Sequence, residues 1–329
     1  MEKKDHLPLK LGFIGLGKYG WGVLRAILKA GYHDQKNIFF EEEDPCILRN
    51  VARPKREEIK KNYISIKKFF QTHGESHCLP INDLIQEIGK DKNCLPVLIV
   101  SLDRERADKI FQRVRKLKGV NWNDIWLLSS VSCLTAQDIK RQIHHKVKVI
   151  RYIPNLATMV GEGIITAYVE PQYQDEGMVI LRKVFHDLGK VVVVQKEQNI
   201  DSARLITGST IGLAAYFAKL LSDSIRALRV QGLGRRQEDA DEIVFHAIVG
   251  MLALRNSRNE GKTIQSWGDF IEFIQVTKSR GNKPGTTESL IELLDQKRFP
   301  EIVKKAIREV HAIYLESCSK PRRVSCIES

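Results

Sequence analysis

Three glycines at fixed spacing are the first residues whose arrangement could do chemistry. Gly15-Leu16-Gly17-Lys18-Tyr19-Gly20 fits the pattern Gly-x-Gly-x-x-Gly, follows the apolar run Leu9–Ile14 and leads into an apolar-periodic stretch from Trp21 to Ala30. In such a context the first glycine permits a tight turn, the second lets a phosphate approach the backbone, and the third lets helix and strand pack closely. Free backbone N–H groups and the helix dipole then favour the pyrophosphate of a dinucleotide. An ordinary tight turn would show the same spacing, but the strand before it and the helix after it weigh against that reading.

Acids supply the second signal. Glu41, Glu42 and Glu43 follow the short apolar segment Asn37–Phe40, about twenty residues beyond the turn, where a carboxylate can bind the adenosine ribose 2′-hydroxyl. A negative charge there repels a 2′-phosphate, so the expected cofactor is NADH in preference to NADPH. The competing reading is an exposed acidic loop. Arg49, Arg53, Lys55 and Arg56 follow closely and could fold back onto a phosphate.

The elements that must position these residues are legible as strands alternating with helices. Strand-like runs at Pro96–Val100, Ile125–Leu128 and Val147–Arg151 are separated by helical stretches at Arg104–Leu117 and Thr135–His145. This alternation implies a parallel sheet covered on both faces. Ile164–Val169 and Val191–Val194 are expected as edge strands. After Glu197 amphipathic helices take over, at Asp201–Val230, Arg235–Leu254 and Glu301–Cys318. In the last of these Ile302, Val303, Ala306, Ile307, Val310, Ile313 and Tyr314 form one apolar stripe. The expected architecture is α/β: an N-terminal Rossmann-type doubly wound sheet over residues 1–197, then an all-α dimerisation and substrate domain over 198–319. A mobile tail is expected over 320–329.

Composition narrows the function classes. The net charge of +13 raises nucleic-acid binding as a possibility. The basic residues, however, lie in short runs mixed with acids, as on solvated helix surfaces, so no nucleic-acid partner is expected. No uninterrupted apolar run approaches the ~18 residues of a membrane helix, and the N-terminal segment lacks an apolar signal core; no membrane partner is expected. The six cysteines show no Cys-x-x-Cys pair and no histidine at ligand spacing. No metal site is therefore expected, and a cytoplasmic location fits.

Further along the chain an ordered set of segments is similar to the pyrroline-5-carboxylate reductase family. Arg151-Tyr-Ile-Pro-Asn155 followed by Val160-Gly-Glu-Gly163 resembles its Met-Pro-Asn…Val-Gly-Glu-Gly segment. Leu188-Gly-Lys-Val-Val192 resembles its Leu-Gly-Lys-Val strand entry. Asp201-Ser-Ala203 and Thr207-Gly-Ser209 resemble the start of its long dimer helix. Pro284-Gly-Thr-Thr287 resembles the end of its substrate loop. The resemblance spans nearly the whole chain. It implies a homodimer or higher oligomer through the C-terminal helices and hydride delivery from NADH or NADPH to the C=N carbon of 1-pyrroline-5-carboxylate, giving L-proline.

The resemblance also implies roles. Backbone N–H groups of the loop Pro284-Gly285-Thr286-Thr287, donated by the three residues after the proline, would bind the substrate carboxylate, and the Thr287 hydroxyl would hydrogen-bond the ring nitrogen. Thr286 or Thr287 ahead of Glu288 and Leu290–Leu294 also reads as an ordinary helix N-cap, a role compatible with the first. Ser101 and Leu102, at the end of the Pro96–Val100 strand, and Asn155 would lie against the cofactor; a plain turn residue fits Asn155 equally.

Four departures bear on cofactor and substrate. The family's Ser-Asn-Arg is Glu41-Glu42-Glu43, and its Lys-Pro after the fourth strand is Asp103-Arg104. Its Gly-Ser-Gly-Pro-Ala-Tyr helix start reads Gly208-Ser-Thr-Ile-Gly-Leu213. Lys278–Lys283 lengthens the substrate loop. Two other readings therefore stand beside the leading one: a reductase of this build acting on another small imino or keto acid, and a dimeric nucleotide-binding protein without catalysis. His246, in the apolar stretch Val244–Gly250, reads as an interior or interface histidine rather than a catalytic one, and His144 and His145 as exposed. Cys326-Ile-Glu-Ser329 formally matches a prenylation box, but its acidic third residue disfavours it.

Overall fold

The computed structural model describes residues 7–31, 33–41, 78–227, 236–256 and 286–319, with isolated positions at 57, 60, 61, 64, 68 and 267. It divides into two compact units, Met1–Ser209 and Thr210–Ser329.

The first unit is built on an eight-stranded sheet. Its strands are β1 (Leu9–Ile14), β2 (Ile38–Glu41), β3 (Cys78–Leu79), β4 (Leu95–Val100), β5 (Trp126–Ser129), β6 (Lys148–Pro154), β7 (Gly163–Val169) and β8 (Gly189–Val193). The order across the sheet is β3-β2-β1-β4-β5-β6-β7-β8. From β1 the chain moves outward through β2 and β3, then returns to start again at β4 on the other side of β1. That reversal opens a crevice beyond the C-terminal ends of β1 and β4, the place where ligands bind in such sheets.

The central strands are predominantly apolar because both faces are covered. Alternate residues feed different layers. Leu9, Leu11 and Phe13 of β1 pack with Val23, Leu24 and Ile27 of α1 (Lys18–Ala30). Leu98 and Val100 of β4 pack instead with Leu84, Ile85 and Ile88 of α2 (Ile81–Lys90), and with Ile110, Phe111 and Val114 of α3 (Arg104–Arg115). Helix α4 (Ala136–Gln142) is opened by a capping box of Thr135 and Asp138, which satisfies two of the N–H groups a helix start leaves open.

Three expectations need correction. The sheet is not wholly parallel, because β6 and β7 pair antiparallel. Their connection is one 3-10 turn, Leu156–Val160, too short for the crossover that a parallel pair requires. Consequently β7 lies inside the sheet and β8 alone of the two forms its edge. The two pair in parallel because α5 (Gln174–Phe185) provides the crossover; that helix was not anticipated. Glu41, expected just after the second strand, is the last residue of β2 and is buried, which excludes the exposed-loop alternative for it.

One buried ion cluster ties the sheet to the helix that leaves it. Arg151 on β6 is buried and forks onto Asp201, with Nη2 to Oδ1 at 3.0 Å and Nη1 to Oδ2 at 3.3 Å. Glu197 lies 3.5 Å from the same guanidinium and accepts the Ala136 N–H at the start of α4. Asp201 sits in the first turn of α6 (Gln198–Ala227), where an acid also suits the helix dipole.

The second unit is helical in its described residues: the rest of α6, then α7 (Gln237–Asn256), α8 (Thr286–Gln296) and α9 (Phe299–Ser319). Ser222 donates to Asp241, Gln237 bonds both, and Phe217 meets Phe299 edge-on at 5.7 Å. Most large apolar side chains of this unit are nevertheless exposed, among them Tyr216 and Leu221 of α6, Phe245 of α7, and Ile302, Ile307, Val310 and Ile313 of α9. By length and composition alone α6 could cross a membrane. The sequence reading passed over it because glycine, serine and threonine break its apolar run.

Replacing Arg151 with Met removes the cation shared by Asp201 and Glu197 while keeping apolar bulk. The two acids are partly exposed, so the expected loss of unfolding free energy is about 2–3 kcal/mol, at or below the range for breaking a buried pair. A urea titration measures it; an unchanged midpoint would contradict the anchoring role.

Candidate functional site

The glycine turn lies at the mouth of the crevice, and its three glycines differ in what the protein demands of them. Gly15 has φ +87°, and a Cβ there would stand 2.5 Å from the Ser101 carbonyl oxygen and 2.5 Å from Leu102 Cδ2. Both the backbone conformation and the approach to the end of β4 exclude a side chain. At Gly20 a Cβ would run into the Gly15 carbonyl oxygen, so the first turn of α1 can sit on the end of β1 only without one. Gly17 is different. Its φ of −69° and ψ of −174° suit any residue, and a Cβ would meet nothing within 4 Å. Nothing in the described protein requires glycine at position 17, whereas a ligand lying on that backbone would.

Helix α1 begins immediately after Gly17 with no side-chain cap and no acid in its first turn. Its leading N–H groups and the positive end of its dipole are thus available to an anion. At the other end Gly31 closes the helix in the left-handed conformation, returning its N–H to Ile27. Leu16 is buried under the turn and Tyr19 is exposed beside it.

The acid at the end of β2 engages the turn directly: the Gly15 N–H donates to Glu41 Oε2 at 2.8 Å. The carboxylate therefore stands within the turn and not in a solvent loop. Glu42 and Glu43 lie outside the described residues, as do Arg49, Arg53, Lys55 and Arg56.

Across the crevice the end of β4 carries Ser101 and Leu102. The Ser101 N–H donates to the Ile14 carbonyl at 2.9 Å, extending the β1–β4 ladder into the turn. Ser101 Oγ lies 3.0 Å from the Tyr152 hydroxyl and receives Ser130 Oγ at 3.0 Å. Tyr152 is wholly buried, and burial pushes its phenol up to about 12. It stays a neutral hydroxyl at any physiological pH. Neither Ser130 nor Tyr152 was singled out by sequence reasoning, since a lone serine and a strand tyrosine carry no spacing signal.

Asn155 is buried at the end of β6, and its Oδ1 accepts the Ile164 N–H at 3.1 Å. It holds the short connection to β7 in place, beside the 3-10 turn whose Met159 lies under Gly22 of α1. The glycine turn, Glu41, Ser101 and Leu102 come together around the crevice. Thr286 and Thr287 form the first turn of α8, whereas Pro284, Gly285 and the Lys278–Lys283 segment lie outside the described residues. His246 is exposed, 3.9 Å from Glu242. His144 and His145 stack at 4.5 Å, the second of them exposed. Among the described residues no cluster of metal-ligating side chains occurs.

A glycine-rich turn at the switch point of a doubly wound sheet, followed by a helical unit, defines a Rossmann-type fold with a C-terminal all-α part. The particular fold is that of the pyrroline-5-carboxylate reductases. A reductase of that name from Coxiella burnetii superposes with a TM-score of 0.69 at 17% identity, covering 95% of this chain and 99% of that one. The Plasmodium falciparum pyrroline carboxylate reductase, solved with NADP bound, gives 0.66 at 14% identity, covering 96% and 99%. In sequence the chain is similar to pyrroline-5-carboxylate reductase of Haemophilus influenzae, 19% identical over 192 residues. That alignment takes in 58% of this chain and 65% of the relative, just under two thirds of its length. No family model matches.

The glycines separate structural from ligand demands in a way that stability measurements can read. Gly20→Ala should lower the unfolding free energy by about 1–3 kcal/mol through overpacking. Gly17→Ala should leave it within about 0.5 kcal/mol. Equal losses in denaturant titrations would show that Gly17 serves the fold.

Proposed function

We propose that this protein is an NAD(P)H-dependent reductase acting on 1-pyrroline-5-carboxylate to give L-proline. The observation that carries the reading is Gly17: a glycine with no conformational or packing need inside the protein, at the capless start of a helix, in the crevice of a fold shared with those reductases.

In this reading residues 1–197 hold the dinucleotide, while 198–319 supply the pairing surface and the substrate loop. Backbone N–H groups at Leu16, Gly17, Lys18 and Tyr19 bind the pyrophosphate. Glu41 accepts the adenosine ribose 2′-hydroxyl, and Ser101, Leu102 and the Asn155 connection border the nicotinamide half. The bound cofactor supplies the hydride; the chain has to hold the substrate carboxylate, keep the imine protonated and align the two rings. The Pro284–Thr287 backbone is assigned the carboxylate and the Thr287 hydroxyl the ring nitrogen, at the N-terminal end of α8.

NADH is the preferred cofactor in this assignment. The Glu41 carboxylate is fixed by the Gly15 N–H, so a 2′-phosphate would meet a negative charge that cannot swing away. A second copy of the chain is proposed to cover the exposed apolar side chains of α6, α7 and α9, since contiguous apolar surface of that extent is rare on a monomer.

Purified protein given NADH, with and without the pyrroline substrate, should lose reduced-cofactor absorbance only when both are present. Absence of substrate-dependent loss with either NADH or NADPH would overturn the assigned reaction. Glu41→Gln keeps an acceptor for Gly15 and removes the charge. It should move the ratio of kcat/KM values toward NADPH by about five-fold or more; an unchanged ratio would overturn the role of Glu41. Sedimentation should find a dimer or larger, and a monomer at micromolar concentration would contradict the covered helical face.

A further inference from the structure

We infer that Tyr152 and Ser130 are positioning residues that turn the Ser101 hydroxyl into a fixed hydrogen-bond donor for the nicotinamide half of the dinucleotide. The inference rests on the proposed cofactor site and adds two residues to it.

The argument is one of hydrogen-bond valence. A serine hydroxyl has one proton and two acceptor positions, and a tyrosine hydroxyl has one proton to give. Tyr152 is fully buried, and its partners among the described residues are the hydroxyls of Ser101 and Ser130. If Tyr152 only accepted, its proton would be buried without an acceptor, which is unfavourable. Burial also keeps the phenol protonated, so the donor is permanent. Ser130 Oγ lies 3.0 Å from Ser101 Oγ and 3.3 Å from the Val100 carbonyl, and the shorter contact is assigned its proton. Its backbone is held in turn by its own N–H to Val100 and by the Val131 N–H to Ser129 Oγ. With Tyr152 and Ser130 both donating to it, Ser101 has both acceptor positions filled and directs its own proton out of the cluster.

The direction follows from the sheet. Ser101 ends β4, with Gly20 and Gly15 on one side and the hydroxyl pair on the other. Glu41 assigns the adenosine ribose to the β2 side of the switch point. The other half of the molecule therefore passes over the ends of β4 and β5, where Ser101 and Ser130 stand, with Tyr152 buried beneath them on β6. The acceptor for the Ser101 proton is an oxygen of the nicotinamide nucleotide, not of the adenosine.

Calorimetric titration of the full-length protein with NADH and, separately, with ADP tests this directly. Ser101→Ala and Tyr152→Phe should each weaken NADH binding by about five-fold, the scale of one neutral hydrogen bond. The double variant should be no weaker than Ser101→Ala, because Tyr152 acts through that hydroxyl. ADP affinity should stay unchanged in all three. Tyr152→Phe binding NADH like the wild type would overturn the inference and leave the cofactor site standing. So would equal losses for ADP and NADH, which would mark general damage to the crevice, or effects that multiply in the double variant. A wild-type protein that binds neither NADH, NADPH nor ADP would overturn the cofactor site and this inference together.

Discussion

The closeness of the glycine turn to the end of β4 is the constraint on which the site depends. The Ser101 N–H continues the β1–β4 ladder one step past the strands, to Ile14. That step draws the Ser101 carbonyl so near Gly15 that no Cβ fits between them. The same packing brings Gly20 against the Gly15 carbonyl and so sets the axis of α1. Once α1 points its unsatisfied N–H groups at the crevice, an anion there is favoured by both dipole and geometry. On the β2 side the Gly15 N–H is taken by Glu41. A turn crossing a buried region without that acceptor would carry an unmet donor. One carboxylate thus meets a backbone need of the turn and places a negative charge beside it.

A second physical link joins the sheet to the helical part of the chain. Arg151 sits among apolar strands only because Asp201 and Glu197 meet it with hydrogen bonds and opposite charge. Both acids lie where the chain leaves the last strand and enters α6, so the helix start is fixed relative to β6. Burial works against the Glu197 charge and raises its pKa, with the Ala136 N–H and Arg151 opposing that shift. Beyond this anchor the helices keep few large apolar side chains inside a single chain.

Much of this was legible in the sequence, and what was not has identifiable causes. The glycine turn and the strand–helix alternation stood out because spacing and apolar periodicity are local. The apolar stripe of α9 was readable from Ile302 to Ile313, though not that it would lie exposed. Glu41 was recognised as an acid at a useful distance. Its place inside the turn was hidden, because a strand end and a loop start look alike in residue types. The antiparallel β6–β7 pair follows from a connection too short for a crossover, which becomes evident only once Asn155 and the 3-10 turn are seen between the strands. Ser130 and Tyr152 could not be found from the sequence: they come together only through the adjacency of β4, β5 and β6. The segment resembling a substrate loop was visible from Pro284 to Thr287, and of it the structure describes only the helix start.

The central claim is that a dinucleotide lies on the backbone at Gly17. A crystal structure of the protein grown with saturating NADH tests it most directly. The account predicts the pyrophosphate within hydrogen-bonding distance of the N–H groups at the start of α1, with the adenosine ribose on Glu41. Density for NADH elsewhere in the molecule, or a crevice left empty at saturation, would contradict it.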